Sequence, residues 1–240
     1  MTSNLACVGL AVSGGEDDLA DLVTRALPLA AAVGTVGDFT VLRWEDPSGA
    51  RLVFGMEDGV LIDMLPSFAG VPGVRLDKCQ AVNVDVASAS VVDADGEQLT
   101  AMTLEVEQMR ALQGREALPL TRAAVVALGV DVTWYRDEAA FDAAQTSDPS
   151  YAANAFVSYG VFGEDEDAEA YALLNGTVLS SQLRRNELTG QPFLVARVSN
   201  LCGEVDVCVP WNAQPVPVAG SIVGGTVFLV GCLEGFDFGA

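Results

Sequence analysis

Short apolar runs separated by turn-forming residues restrict this chain most strongly, because they favour antiparallel sheet. Two such breaks are Asp46-Pro47-Ser48-Gly49 and Glu57-Asp58-Gly59. Aspartate, proline, serine and glycine favour β-turns, and turns between short apolar runs are typical of hairpins. We therefore predict a meander of strands at 38–45, 50–56 and 60–65.

A second, longer hairpin is predicted over residues 79–108, around a turn at 93–96. A loop at 66–73, rich in proline and glycine, precedes it. Alternating apolar residues on both strands predict one buried face, since successive side chains point to opposite sides of a sheet. These residues are Val82, Val84 and Val86 on the first strand and Met102, Leu104 and Val106 on the second.

Helix signals are few. Residues 5–12 predict a buried strand that ends at Ser13-Gly14-Gly15, and three acidic residues then favour the start of a helix over 16–32, which Pro28 should end or kink. Residues 122–135 predict another strand and 137–145 a short helix. A polar loop with Pro149 follows.

The last 70 residues predict an all-β unit. Four strands are expected with no helix between them, which is typical of a small barrel or sandwich. They are placed at 171–183, 193–199, 204–209 and 226–233.

Charge divides the chain unevenly. The sequence has 33 acidic and 12 basic residues, a formal net charge of -21. Residues 1–170 carry 28 acids and 9 bases, whereas residues 171–240 carry 5 acids and 3 bases.

We predict an α+β protein with a domain boundary near residue 165. An acidic, antiparallel β-rich domain with one or two helices (1–165) is followed by a small all-β barrel (171–240). No internal repeat is found.

The C-terminal strands resemble an oligonucleotide/oligosaccharide-binding (OB) barrel. The resemblance is carried by Asn175-Gly176-Thr177-Val178, by Gly190-Gln191-Pro192-Phe193 and by the final run 225–231. It implies a small all-β barrel that binds single-stranded nucleic acid or a small ligand. The whole chain, rich in Ala, Val, Gly and Asp with the single lysine Lys78, resembles an uncharacterised actinobacterial family, a resemblance that implies no activity.

The chain contains no histidine. This excludes Ser-His-Asp and Cys-His nucleophiles and every His-ligated metal site.

Carboxylate chemistry, with or without Mg²⁺, is what remains for an enzyme. The densest acidic set is interpreted as a hairpin turn and consists of Asp93, Asp95 and Glu97. Five cysteines at unrelated spacings are interpreted as buried thiols. No catalytic residue, metal ligand or cofactor is predicted.

Residues that could bind a ligand are confined to the C-terminal part. Aromatic and basic side chains there supply the stacking and charge that barrels use on single-stranded nucleic acid, although core packing also explains Phe193. The candidates are Arg184, Arg185, Phe193, Arg197 and Trp211. The strongly negative charge disfavours nucleic acid as the partner.

The leading functional hypothesis is a non-enzymatic acidic interaction or assembly module. It would dock on a basic protein, with the acidic run 164–167 as one possible surface, or self-associate through sheet edges. The alternatives are an OB-like barrel that binds single-stranded nucleic acid or a small ligand, and a carboxylate- and Mg²⁺-dependent enzyme. Without a membrane-spanning run or a signal peptide, a cytoplasmic location is expected and a membrane partner is not.

Overall fold

The computed structural model describes residues 4–13, 15–146, 150–212 and 215–238. Gly14, predicted in a turn, and Pro149, predicted in a loop, lie outside these ranges. The helices are α1 (Glu16–Ala26), α2 (Met109–Leu112) and α3 (Glu138–Ala144). The strands are β1 (Ala31–Val36), β2 (Phe39–Glu45), β3 (Ala50–Glu57), β4 (Val60–Phe68), β5 (Val74–Ala81), β6 (Ala87–Val92), β7 (Gln98–Val106), β8 (Thr121–Tyr135), β9 (Ala155–Ser158), β10 (Tyr171–Arg185), β11 (Pro192–Asn200), β12 (Gly203–Pro210) and β13 (Ile222–Leu233).

Strands β1 to β4 form a four-stranded antiparallel meander in chain order. The three predicted strands of this region and both turns are confirmed. Strand β4 is longer than expected, because it continues through Pro66 to Phe68 in a segment predicted as a loop. Within the described part of the chain β4 pairs only with β3, and an edge strand tolerates proline.

The C-terminal strands close into a ring with one strand from earlier in the chain. Antiparallel pairing joins β10 to β11 and β11 to β12. Strand β12 then runs parallel to β8, which pairs antiparallel with β13, and β13 returns antiparallel to β10. The fifth strand of this ring is therefore β8, from residues 121–135.

A second ring follows the same scheme. Strand β5 pairs antiparallel with β6, β6 pairs with β7 in the same way, and β7 runs parallel to β13. Strand β13 pairs with β8, and β8 returns antiparallel to β5. The two rings thus share β8 and β13. In the C-terminal ring β8 has the parallel neighbour, and in the second ring β13 has it. The same order of parallel and antiparallel pairs therefore occurs twice, although the sequence shows no internal repeat.

The shared strands are buried on both faces. On β8, Ala123, Val125 and Ala127 pack in the core inside the rings. Val126 and Leu128 point the other way, into a second core with the four-stranded sheet and α1. A strand covered on both faces has a continuous apolar sequence instead of alternation, which explains the unbroken apolar run in β8.

The N-terminal segment is not the predicted strand. Residues Asn4–Val8 form a 3₁₀ turn whose Leu5, Cys7 and Val8 are buried. Gly9 then takes a φ of +71°, and a Cβ there would lie 2.8 Å from the carbonyl oxygen of Gln191. A short apolar run predicts burial but does not by itself distinguish a strand from a buried turn.

Two further predictions are corrected. The first helix ends at Ala26, because the next turn, Leu27–Leu29, is 3₁₀ and contains Pro28, and β1 starts at Ala31. The chain also bends between β5 and β6. There the Asn83 side chain accepts hydrogen bonds from the backbone N–H groups of Asp85 and Val86, at 3.0 and 2.8 Å. Val84 is consequently exposed and not on a buried strand face, whereas Met102, Leu104 and Val106 are buried as predicted.

The predicted domain boundary near residue 165 lies between strands that pair with each other. Strands β8 and β13 lie on opposite sides of it and are paired at 12 positions. Residues of both predicted units, such as Val125 and Val227, pack in the same core. Whether residues 171–240 fold independently is therefore open to a direct test.

We expect a fragment of residues 171–240 to fail to fold alone. It lacks β8, so β12 and β13 each lose a partner strand, and unpaired buried backbone groups are costly. Amide NMR spectra and thermal unfolding followed by circular dichroism should show poor dispersion and no cooperative transition, with the full chain as control. A dispersed spectrum from the fragment would contradict this expectation.

Candidate functional site

Two glutamates, Glu105 in β7 and Glu107 directly after it, lie two positions apart and have opposite surroundings. Glu107 is buried, with 4% of its side chain exposed. Its carboxylate accepts hydrogen bonds from Arg43 at 3.1 Å, from Arg51 at 3.2 Å and from the Ser67 hydroxyl at 2.7 Å. These three partners belong to β2, β3 and β4, so Glu107 joins the four-stranded sheet to the rings.

Glu105 has no such partner. No ion pair or side-chain hydrogen bond joins it to another residue of the described segments. Burial, and the nearby charges of Asp85 and Asp63, raise the pKa of Glu105 to about 7. The group is half-buried among negative charges, and it is partly protonated at neutral pH.

Glu105 lines a cavity of about 420 Å³, which we call the acidic pocket. Its lining carries five carboxylates and no basic side chain: Asp85, Glu105, Glu166, Asp167 and Glu169. Tyr171 and Phe228 also line it, and their rings pack edge to face with 5.1 Å between centroids. The pocket therefore combines negative charge with an aromatic wall.

Asn83 positions the acidic run over this pocket. Its Nδ2 donates to the carbonyl oxygens of Ala168, at 2.9 Å, and Asp165, at 3.2 Å. The run forms a 3₁₀ turn at Asp165–Asp167. The bend between β5 and β6 thus holds the segment 165–169 beside β7, where carboxylates distant in sequence converge.

The pocket does not group its carboxylates as metal ligands. Within residues 4–13, 15–146, 150–212 and 215–238, no three or more Cys, Asp or Glu side chains are arranged to hold a metal ion. The five cysteines are free thiols. Burial raises the pKa of Cys7 to about 12 and those of Cys79 and Cys232 to about 11, and it raises the pKa of Cys202 and Cys208 as well. None is activated as a nucleophile.

The five predicted ligand-binding residues are dispersed. Arg184 and Arg197 line one cleft, beside the connection between β4 and β5. Trp211 lines a different cleft, and Arg185 is exposed next to Gly190. Phe193 is fully buried in the core. The structure therefore brings together only the two arginines.

The acidic pocket was missed in the sequence for a specific reason. Alternation along β7 identified the buried residues Met102, Leu104 and Val106, and the same alternation places Glu105 and Glu107 together on the other face. That pattern could have identified the pair. It could not show that arginines reach one glutamate and aspartates the other.

No protein-family model, curated protein or solved structure matches the chain. Among the helices of the described segments, none is long and apolar enough to cross a membrane.

Replacing Glu105 with glutamine should change how stability depends on pH. The pKa of Glu105 in the folded protein, about 7, lies above its ordinary value of 4.5, so between these values the folded state holds a proton that the unfolded chain releases. The free energy of unfolding therefore falls as pH rises from 4.5 to 7. Glu105→Gln removes this loss, so the variant should gain on the order of 2 kcal/mol over the wild type at pH 8 and almost nothing at pH 4.5.

Urea unfolding across this pH range provides the measurement. Glu97→Gln is the matched control, because Glu97 is exposed and lies before the start of β7. Parallel pH profiles for wild type and Glu105→Gln would contradict the assignment.

Replacing Glu107 should destabilise the fold. Glu107→Gln leaves Arg43 and Arg51 facing a neutral group, and the expected loss is about 2 kcal/mol or more in the free energy of unfolding. Glu234→Gln is the control, since the Arg122–Glu234 pair is half exposed at 3.6 Å and should contribute less than about 1 kcal/mol. Equal losses in the two variants would show that Glu107 does not couple the sheets.

Proposed function

We propose that this protein is a non-enzymatic binding module whose acidic pocket receives a lysine or arginine side chain of a basic partner. One observation carries the proposal: Glu105 is half-buried among carboxylates with no cation, while Glu107 on the same strand face has two. A cation supplied by a partner would satisfy the charge that the chain itself leaves uncompensated.

The physical argument concerns charge and shape together. A positive group in the pocket would favour the ionised form of Glu105 and lower its raised pKa, and each unit of pKa corresponds to about 1.4 kcal/mol of interaction. The aromatic wall of Tyr171 and Phe228 offers apolar surface to the methylene stem of a lysine or arginine. The remaining acids, exposed at the rim, would increase the association rate of a basic protein.

The fold supports a binding role through its rings, each of which we propose to be a variant of the OB-like barrel. The support is the order of orientations in each ring: two antiparallel pairs, one parallel pair and two antiparallel pairs. In this proposal the C-terminal barrel takes its fifth strand from β8 instead of from residues 171–240.

Self-association is the other form that an assembly module could take. Strands β1 and β4 each have one open edge among the described strands of the four-stranded sheet. Open edges can pair with a second chain. Light scattering over a range of protein concentrations distinguishes this form, since edge pairing raises the mass without any basic partner.

Proton release provides the sharpest test of the pocket. Burial and the nearby acids raise the pKa of Glu105 to about 7, so binding of hexalysine near neutral pH should release protons from this group. Calorimetric titration in two buffers of different ionisation enthalpy measures the number of protons released. Glu105→Gln should bind without releasing a proton, and Glu97→Gln should behave as wild type.

Two results would contradict the proposal. The first is no heat with hexalysine at low ionic strength. The second is the same proton release from Glu105→Gln as from the wild type, because the peptide would then bind elsewhere on the acidic surface.

A further inference from the structure

A second cleft, of about 310 Å³, lies on the outer face of the C-terminal ring. It opens between the β4–β5 connection, at Phe68–Val71, and the strands β10, β11 and β12. Its charged lining residues are Arg184, Arg197 and Asp206. The lining thus holds two of the 12 basic residues of a chain whose net charge is -21.

Arg197 and Asp206 form an ion pair that also binds the backbone of the β4–β5 connection. Arg197 pairs with Asp206 at 2.9 Å and with Glu204 at 3.2 Å. The same two side chains bind the backbone of Val71, where Arg197 donates to the carbonyl oxygen at 2.9 Å and Asp206 accepts from the N–H at 3.1 Å. This pair fixes one wall of the cleft.

Arg184 is different, because it forms no ion pair within 4 Å with any carboxylate of the described residues. Its guanidinium lies over the Phe68 ring, 5.1 Å from the centroid, and donates to the carbonyl oxygen of Ser48 at 2.7 Å. Its Nε is buried without a hydrogen-bond partner. Stacking holds the side chain in place. Its charge acts on Asp206 without a direct ion pair, and its Nε–H has no acceptor.

Two further polar side chains continue from Arg184 along the same face of β10. Ser180, Gln182 and Arg184 alternate in sequence, so they project from one side of the strand over about 13 Å. Ser180 and Gln182 are exposed, and neither side chain has a hydrogen-bond partner among the described residues. A hydroxyl, an amide and a guanidinium thus line the cleft in a row.

We propose that this cleft binds a small organic anion. The carboxylate or phosphate group of the ligand lies on Arg184, and its hydroxyl-bearing part extends along Gln182 and Ser180. The cavity volume is at the lower end of the range for small-molecule sites, which suits a molecule of the size of a sugar acid or a sugar phosphate. This site is separate from the acidic pocket and does not depend on the function proposed for it.

The experiment uses the full chain and four probes: gluconate, glucose 6-phosphate, inorganic phosphate and uncharged glucose. Gluconate and glucose 6-phosphate carry the two anion types on similar hydroxylated chains, so their relative affinities identify the preferred group. Binding is followed by the arginine Nε–H signals in ¹⁵N NMR spectra. We expect the Arg184 signal to shift with at least one of the two organic anions and not with glucose.

Matched variants locate the site. Arg184→Gln should weaken binding of the organic anion by about tenfold or more, whereas Arg185→Gln, which removes the neighbouring exposed charge, should leave it within about twofold. The double variant Ser180→Ala and Gln182→Ala should weaken binding of the organic anion while leaving inorganic phosphate unaffected. This variant keeps the test valid if Arg184→Gln fails to fold.

Three outcomes would overturn the proposal. They are no shift of the Arg184 signal with either organic anion up to about 20 mM, equal weakening by Arg184→Gln and Arg185→Gln, and binding of glucose as tight as that of the anions.

Discussion

Twelve residue pairs join β8 to β13, and each of the two rings closes only through these strands. A ring leaves no open edge among its own strands, so its backbone groups pair internally instead of with another molecule. The shared strands must also pack on both faces, which requires the apolar runs seen in both. Close approach imposes a further constraint at Gly225, where a Cβ would lie 2.0 Å from the carbonyl oxygen of Asp131. Only glycine fits at this position.

Charge at the surface between the four-stranded sheet and the rings is distributed by the same geometry. Alternation along β7 and the residue that follows it directs Glu105 and Glu107 to one side, towards β2, β3 and β4. At Glu107 the sheet supplies two arginines, which compensate the burial of the carboxylate. At Glu105 it supplies Asp63, and the bend after β5 supplies Asp85. One glutamate therefore holds the two layers together, and the other remains available to a cation from outside.

The two rings place an acidic residue at corresponding positions, but the charges around these two residues have opposite sign. Asp206 lies opposite Val126 in one ring, Glu105 lies opposite Val230 in the other, and Val126 and Val230 are themselves partners. Asp206 has Arg197 beside it and Arg184 nearby, whereas Glu105 has only acids. The repeated strand pairings thus surround one acidic residue with arginines and the other with acids. These are the two places where we propose an anion site and a cation site.

Local sequence patterns predicted most of the strands and turns, although they did not indicate β1 or β9. Turn residues and alternation act over a few positions, so strands such as 50–56, 122–135 and 193–199 could be predicted closely from local chemistry. The absence of histidine likewise excludes whole classes of catalysis, whatever the fold. The errors, at residues 5–12, at the end of the first helix and around Asn83, are places where an apolar run does not specify which local conformation is buried.

Which strands share a ring and which charges meet depends on contacts between residues distant in the sequence. Strand β8 joins the C-terminal strands although about 35 residues separate its end from β10, and no local pattern encodes that pairing. The same holds for the site. Arg184 and Arg197 were identified from their type, but their cleft depends on the β4–β5 connection packing against β10 and β11. Glu105 and Glu107 are chemically identical in the sequence, and they differ because burial and neighbouring charge are properties of the folded chain.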